Sequence, residues 1–214
     1  MVPCPLCLSN SAETLARDAR RRYLICRACR LIFVPPEYHL SIDDEKKRYA
    51  LHHNTPNDPE YVRYLAGVAD AALRLPLPPR ARVLDFGCGE HAVLAGILKR
   101  RGWECAACDP LYSIGGDALR RMWDLIVACE VLEHMRDLRA GLAALGRALA
   151  PGGRLVVRTE LYAQESALLS WWYAQDATHM NFFHASTAET IAGLVGGGVE
   201  RSDGKNTLVF RKTG

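Results

Sequence analysis

The chain has 214 residues, 49% of them hydrophobic and 24% charged, with a formal net charge of +3. That is enough chain to bury a full core, and the balance is that of an ordinary globular protein. No apolar run approaches the ~18 residues of a membrane span, and Met1 to Asn10 lacks the basic-then-apolar plan of a signal peptide, so the expected location is the cytoplasm and no membrane is expected as a partner.

Residues 1–36 carry two cysteine pairs and little apolar periodicity, so they need a staple to fold, and Pro35-Pro36 closes them as a small module. Residues 37–79 read as a helical linker: from Asp43 to about Leu75 the spacing predicts helix, with Tyr61, Leu65, Val68, Ala72 and Leu75 on one face, stopped by Pro76, Pro78 and Pro79. From residue 80 to 214 short apolar runs alternate with helical ones, the signature of a parallel sheet wrapped by helices. Strands are expected at Arg82–Phe86, Glu104–Cys108, Leu125–Cys129, Arg154–Arg158 and Thr207–Arg211. Helices are expected at Val93–Lys99 and along Leu138, Leu142, Leu145 and Leu149, with a turn at Pro151-Gly152-Gly153.

Cys4-Pro5-Leu6-Cys7 and Cys26-Arg27-Ala28-Cys29 are separated by 18 residues, the paired-knuckle spacing of a four-cysteine structural zinc site. Four thiolates close a tetrahedral ion and leave no position for water, so the expected role of Zn2+ is structural. Cys105 and Cys108 have similar spacing but lie in a predicted strand, where residues three apart point to opposite faces; they read as core thiols, with Cys88 and Cys129. The module also holds Arg17, Arg20, Arg21, Arg22, Arg27 and Arg30 against Glu13 and Asp18, a charge of +4. A zinc tetrathiolate contributes about −2, which leaves a weak electrostatic footprint for RNA.

Val83-Leu84-Asp85-Phe86-Gly87-Cys88-Gly89 places an acid at a strand end and two glycines before a helix, where backbone can approach a ligand and helix N–H groups face a carboxylate. Asp109 ends the next strand and suits ribose hydroxyls. Gly89 is followed by Glu90, His91 and Ala92, which does not complete a nicotinamide fingerprint.

Together with Asp109-Pro110, Glu130-Val131-Leu132-Glu133-His134 and Leu149-Ala150-Pro151-Gly152-Gly153, this stretch resembles the successive motifs of class I S-adenosylmethionine-dependent methyltransferases. The resemblance implies an α/β fold with a Rossmann-like sheet, helices on both faces and a reversed final strand. It implies S-adenosyl-L-methionine as cofactor, with Asp85, Gly87 and Gly89 along its methionine part, Asp109 at the ribose and Glu130 near the reacting methyl. Within the family the chain is similar to a bacterial subgroup with an amino-terminal zinc ribbon and a late Asp-x-Thr-His segment, here Asp176-Ala177-Thr178-His179. The short stretch between Asp109 and Trp123 implies an abbreviated adenine wall, and His91 stands where the wider family often has a third glycine.

Methyl transfer needs a positioned nucleophile and, where it carries a proton, a base. His179 is the first candidate base, with Asp176, Tyr173 and Glu130 beside it as catalytic candidates; Trp171, Trp172, Tyr173, Phe182 and Phe183 read as an aromatic lid. His52, His53 and Asn54 stand where a linker would cross the substrate mouth, and His134 reads as a cap or orienting residue. The expected activity is methyl transfer to a small molecule or biosynthetic precursor, favoured over RNA. The alternatives are a zinc-ribbon RNA methyltransferase and a catalytically silent S-adenosylmethionine-binding regulatory module. No oligomeric state is legible.

Overall fold

Polar residues with tight turns at the front of the chain leave only short strands. In the computed structural model, which describes residues 2–51 and 54–214, β1 (Ala12–Arg17), β2 (Arg22–Cys26) and β3 (Ile32–Phe33) form an antiparallel meander, with Ala12 opposite Cys26 and Leu24 opposite Phe33. His52 and His53 lie outside the described residues.

The stretch expected as one helical reading divides in two. Ser41 caps α1 (Ile42–Tyr49) by accepting the Asp44 N–H, and Asp58 caps α2 (Pro59–Leu73) by accepting from Glu60 and Tyr61. The physical reason for the break is Pro59. Inside a helix it would remove a hydrogen bond, whereas at the first helical position its missing N–H is harmless, so the helix restarts there. Leu65, Val68 and Ala72 are buried along α2 as the periodicity predicts.

The second half follows the expected alternation: β4 (Arg82–Phe86), α3 (Val93–Arg100), β5 (Glu104–Cys108), β6 (Trp123–Cys129), α4 (Leu138–Ala148), β7 (Leu149–Arg158), β8 (Asn181–Phe182), α5 (Thr187–Val195), β9 (Gly197–Ser202) and β10 (Thr207–Lys212). Six strands make one sheet in the order β5-β4-β6-β7-β10-β9, parallel from β5 through β7, with β10 antiparallel to both its neighbours. Pro151-Gly152-Gly153 does not separate helix from strand as expected. It is a bulge inside β7, where Trp123 pairs with Leu149 and Leu125 already pairs with Arg154. A side chain on Gly153 would stand 2.8 Å from the Ala150 carbonyl and 3.0 Å from that of Trp123, so only glycine fits the crossing.

Beyond β5 the sheet stops. Between Asp109 and Trp123 the chain makes a tight Asp109–Ile114 bridge and one 3-10 turn, Ala118–Arg120, so the wall expected to be short is short. Helices α2 and α3 cover one face over Val83, Leu125 and Val127; α4 and α5 cover the other over Leu84, Ile126 and Leu155. Cys105 and Cys108 pack on opposite faces, as core thiols. The front meander is joined to this body by β8, which pairs with β3 to complete a four-stranded sheet, and by Leu6, Leu24, Leu31 and Phe33, which share the apolar cluster beneath α4 and α5.

Candidate active site

At the carboxyl ends of β4, β5 and β6 lies a cleft of about 1260 Å³. A pocket for one drug-sized ligand occupies roughly 300–1,000 Å³, so there is room for two small molecules. Open α/β sheets bind ligands at this end.

The loop after β4 forms one wall. Gly87 and Gly89 both have positive φ, 73° and 65°. A side chain on Gly87 would collide with Val131, whereas one on Gly89 would meet nothing within 4 Å, so that backbone borders open space. Asp109 holds the loop from β5: its Oδ2 accepts the Gly89 N–H at 2.8 Å and its Oδ1 accepts the Leu111 N–H at 2.9 Å. Asp85, expected along the ligand, lies behind the loop instead. It is buried, accepts the Ala95 N–H at 2.9 Å and so caps α3, whose own N-cap, Ala92, has no side-chain acceptor. Burial pushes its carboxyl up to about 7.

The opposite wall is a buried acid cluster. Glu130 leaves β6 with φ 53°, a strained conformation for a non-glycine residue. Its Oε1 accepts the Tyr64 hydroxyl at 2.7 Å and its Oε2 lies 3.1 Å from the Tyr173 hydroxyl oxygen. Tyr173 also stands 2.6 Å from Glu133 Oε1 and 3.0 Å from Thr159 Oγ1. Burial and the Glu133 carboxylate next to it push Glu130 up to about 8, against the lowering effect of the two tyrosines.

His179 faces the same cleft. Its Nδ1 meets the Tyr173 carbonyl at 2.7 Å, and its ring lies 4.6 Å from that of His134. Burial, then the neighbouring His134, press its pKa down to about 3, so the imidazole is neutral near pH 7 and a weak base. Asp176 accepts from Thr178 N and Oγ1 and from Arg48, which makes it the turn that presents His179. The expected aromatic lid is mostly core: Tyr173 and Phe182 are fully buried in the apolar cluster around Tyr23, Ile25 and Ile32 of the small sheet, Phe183 is fully buried in the cluster shared with the large one, and Trp172 alone of the five is largely exposed, at the rim.

Sequence reasoning passed over several participants. Tyr64 comes from α2 and Thr159 from just past β7, and their hydroxyls reach the acids only through the fold. Glu133 sits three residues after Glu130; two acids so spaced in an otherwise apolar run were the available signal.

The four cysteines meet. Cys4 and Cys29 sulfurs are 3.6 Å apart, Cys7 and Cys26 sulfurs 3.5 Å, and all four lie within 4.8 Å of one another. Four sulfurs at about 2.3 Å from zinc would be about 3.8 Å apart, so the set fits that ion. The two knuckles match: Leu8 donates to Cys4 and Arg30 to Cys26, and Leu8 and Arg30 share φ near +60° (64° and 60°). The arginines around them are turned inward. Arg21 is buried and donates to the carbonyls of Ala174, Asp176, Ala177 and His179. Arg20 binds Gln175, Arg22 binds Glu37, and Arg27 and Arg30 share Glu165.

A Rossmann-like sheet with a reversed β10 and a ligand cleft at its carboxyl end defines an α/β protein of the class I methyltransferase fold. A family model described as a methyltransferase domain matches residues 60–196, and the chain belongs to that family. The chain is similar to the biotin biosynthesis bifunctional protein BioCD of Bordetella avium, 29% identical over 160 residues, covering 62% of this chain and 33% of that one. It is also similar to demethylmenaquinone methyltransferase of Corynebacterium glutamicum, 32% identical over 101 residues, covering 39% of this chain and 44% of the relative. The chain thus spans less than half the length of these curated relatives. Among solved structures, 1,6-didemethyltoxoflavin-N1-methyltransferase of Burkholderia thailandensis, with 1,6-didemethyltoxoflavin and S-adenosylhomocysteine bound, aligns at TM-score 0.55 and 16% identity over 95% of this chain and all of that one. Among the described residues no helix is long and apolar enough to cross a membrane.

Proposed function

We propose that the protein is an S-adenosylmethionine-dependent methyltransferase acting on a small molecule. The carrying observation is the single cleft in which the Gly87–Gly89 loop and Asp109 face Glu130, Tyr173 and His179. Gly87, Gly89 and Asp109 would hold the cofactor, with the open backbone at Gly89 taking its amino-acid end and Asp85 keeping α3 in place. When bound, the cofactor supplies a methyl group on a positively charged sulfur.

The chain's own residues do the rest. Glu130, strained and held by two tyrosines, stands between cofactor and acceptor, and its pKa near the working pH suits it to accept the acceptor's proton. Tyr173 stands between it and Glu133 and holds the two acids in register. Asp176 positions His179 on the acceptor side. A small acceptor is supported by the small-molecule relatives. Five of the six front-end arginines already hold carbonyls or carboxylates of this chain, which leaves an RNA reader little to work with. We further propose that Cys4, Cys7, Cys26 and Cys29 bind structural zinc, in keeping with the bacterial zinc-ribbon subgroup.

Calorimetric titration with S-adenosylmethionine and S-adenosylhomocysteine tests the reading. Micromolar binding of both, with none of NAD, is expected. Absence of heat with either would overturn it.

A further inference from the structure

The buried acid cluster contains more than a single base requires. Glu133 is completely buried, yet its Oε2 accepts no hydrogen bond and no arginine or lysine pairs with it among the described residues. A carboxylate without a cation in such a place is costly unless something supplies the charge. Two histidines stand against it. One ligand atom each from Glu133, His134 and His179 can be chosen so that all lie within 4.8 Å of one another, and His134 Nε2 is 3.9 Å from Glu133 Oε1.

The hydrogen bonds of the rings fix which nitrogen each offers. His134 Nδ1 meets the Thr178 carbonyl at 3.2 Å and His179 Nδ1 meets the Tyr173 carbonyl at 2.7 Å. A carbonyl only accepts, so each Nδ1 carries the hydrogen and each Nε2 keeps its lone pair. Metal-binding histidines are oriented in this way, with the far N–H tied to a carbonyl. Tyr173 does the same for the acid, donating to Glu133 Oε1.

We propose that Glu133, His134 and His179 bind a divalent transition-metal ion such as zinc, with an open position toward the cleft that both histidines line. Two imidazoles and one carboxylate suit a borderline ion and leave the fourth position to an outside ligand. The ion would supply the charge that Glu133 lacks. Resting on the methyltransferase reading, the open position takes an oxygen of the acceptor, which makes the favoured acceptors small molecules with a hydroxyl or enol able to bind a metal. His179 then serves as a ligand to the ion and not as the base.

Cobalt(II) titration of the full chain, stripped of metal, tests this. Thiolate-bound cobalt absorbs intensely in the near ultraviolet through sulfur-to-metal charge transfer, whereas cobalt held by nitrogen and oxygen shows only weak visible bands. The expected result is one equivalent of each kind. His179→Ala and Glu133→Gln should weaken the second at least about tenfold and leave the first unchanged. His134→Ala, at a less buried site, is the further variant in case either of these fails to fold, judged by circular dichroism. A wild-type chain that takes up only thiolate-bound cobalt, or folded variants that keep both equivalents, would overturn the proposal. Titration with S-adenosylhomocysteine, run on the same samples, reads the methyltransferase assignment separately.

Discussion

The two sheets are held by different means. The six-stranded sheet buries aliphatic side chains on both faces under four helices, and burial alone accounts for its cohesion. The four-stranded sheet has two strands of only two residues, and to its smaller apolar contacts it adds four clustered thiols and a buried guanidinium. Large layers can rely on area, whereas small ones need a few strong, specific attachments. Here those attachments also carry the acceptor side of the cleft, because β8 and the 174–179 turn are what the small sheet grips.

That contrast predicts unequal damage. With zinc bound to the thiols as proposed, its removal should be the largest perturbation, since structural zinc sites in isolated finger peptides contribute about 10–16 kcal/mol. Chelation is expected to melt the small sheet, with loss of turnover, while S-adenosylhomocysteine still binds; hydrogen exchange confined to residues 4–33 and 174–183 would show it. Equal protection loss across the six-stranded sheet would erase the distinction between the two regions.

Arg21→Met comes next. It removes the guanidinium from four carbonyls, two of them buried and two part-buried, with an expected loss on the order of 3 kcal/mol by thermal or urea unfolding, and Arg21→Lys should not restore them. An unchanged transition would mean the guanidinium is not the grip.

In the large sheet, Gly87→Ala combines a positive φ with a collision against Val131 and should destabilise by about 1–3 kcal/mol and weaken S-adenosylhomocysteine binding. Calorimetry with this variant checks the loop's role.

The gentlest test is a pH dependence, read without perturbing the packing of either sheet. Glu130 has its folded pKa raised to about 8, so the folded state holds a proton that the unfolded state releases near pH 4.3. Its contribution is therefore fully present below about pH 4.3 and is lost progressively as pH rises to about 8. Glu130→Gln should lose the rise in turnover between pH 6 and 9 and should flatten the fall in melting temperature between about pH 4 and 8. A variant whose melting curve tracks the wild type across that range would separate Glu130 from the buried proton.

How much of this was legible depended on sequence distance. Arg82–Phe86 and Glu104–Cys108 announce themselves because a buried parallel strand is a short apolar run, and the cysteine pairs do so by spacing. Gly87, Gly89, Asp109, Glu130, Tyr173, Asp176 and His179 were legible as candidates, and the fold brings them to one cleft. Asp85 was misplaced because a strand-end acid looks alike whether it faces a ligand or caps a helix. Strand β8 is two residues long and pairs with residues about 150 positions earlier, so no local pattern marks it. Arg21 was indistinguishable from Arg20 and Arg22 in a basic run; only the carbonyls of 174–179, far along the chain, select it for burial.

The pairing of β3 with β8 also bears on how the protein can be cut. A fragment beginning near residue 80 would keep the whole six-stranded sheet and the glycine loop, and by family resemblance would look like a complete unit. It would nonetheless carry Asn181–Phe182 as a bare sheet edge and four carbonyls stripped of the guanidinium that binds them. The front of this chain is built in as scaffolding for the back, and protein engineers who treat it as a removable tag would be testing a different molecule.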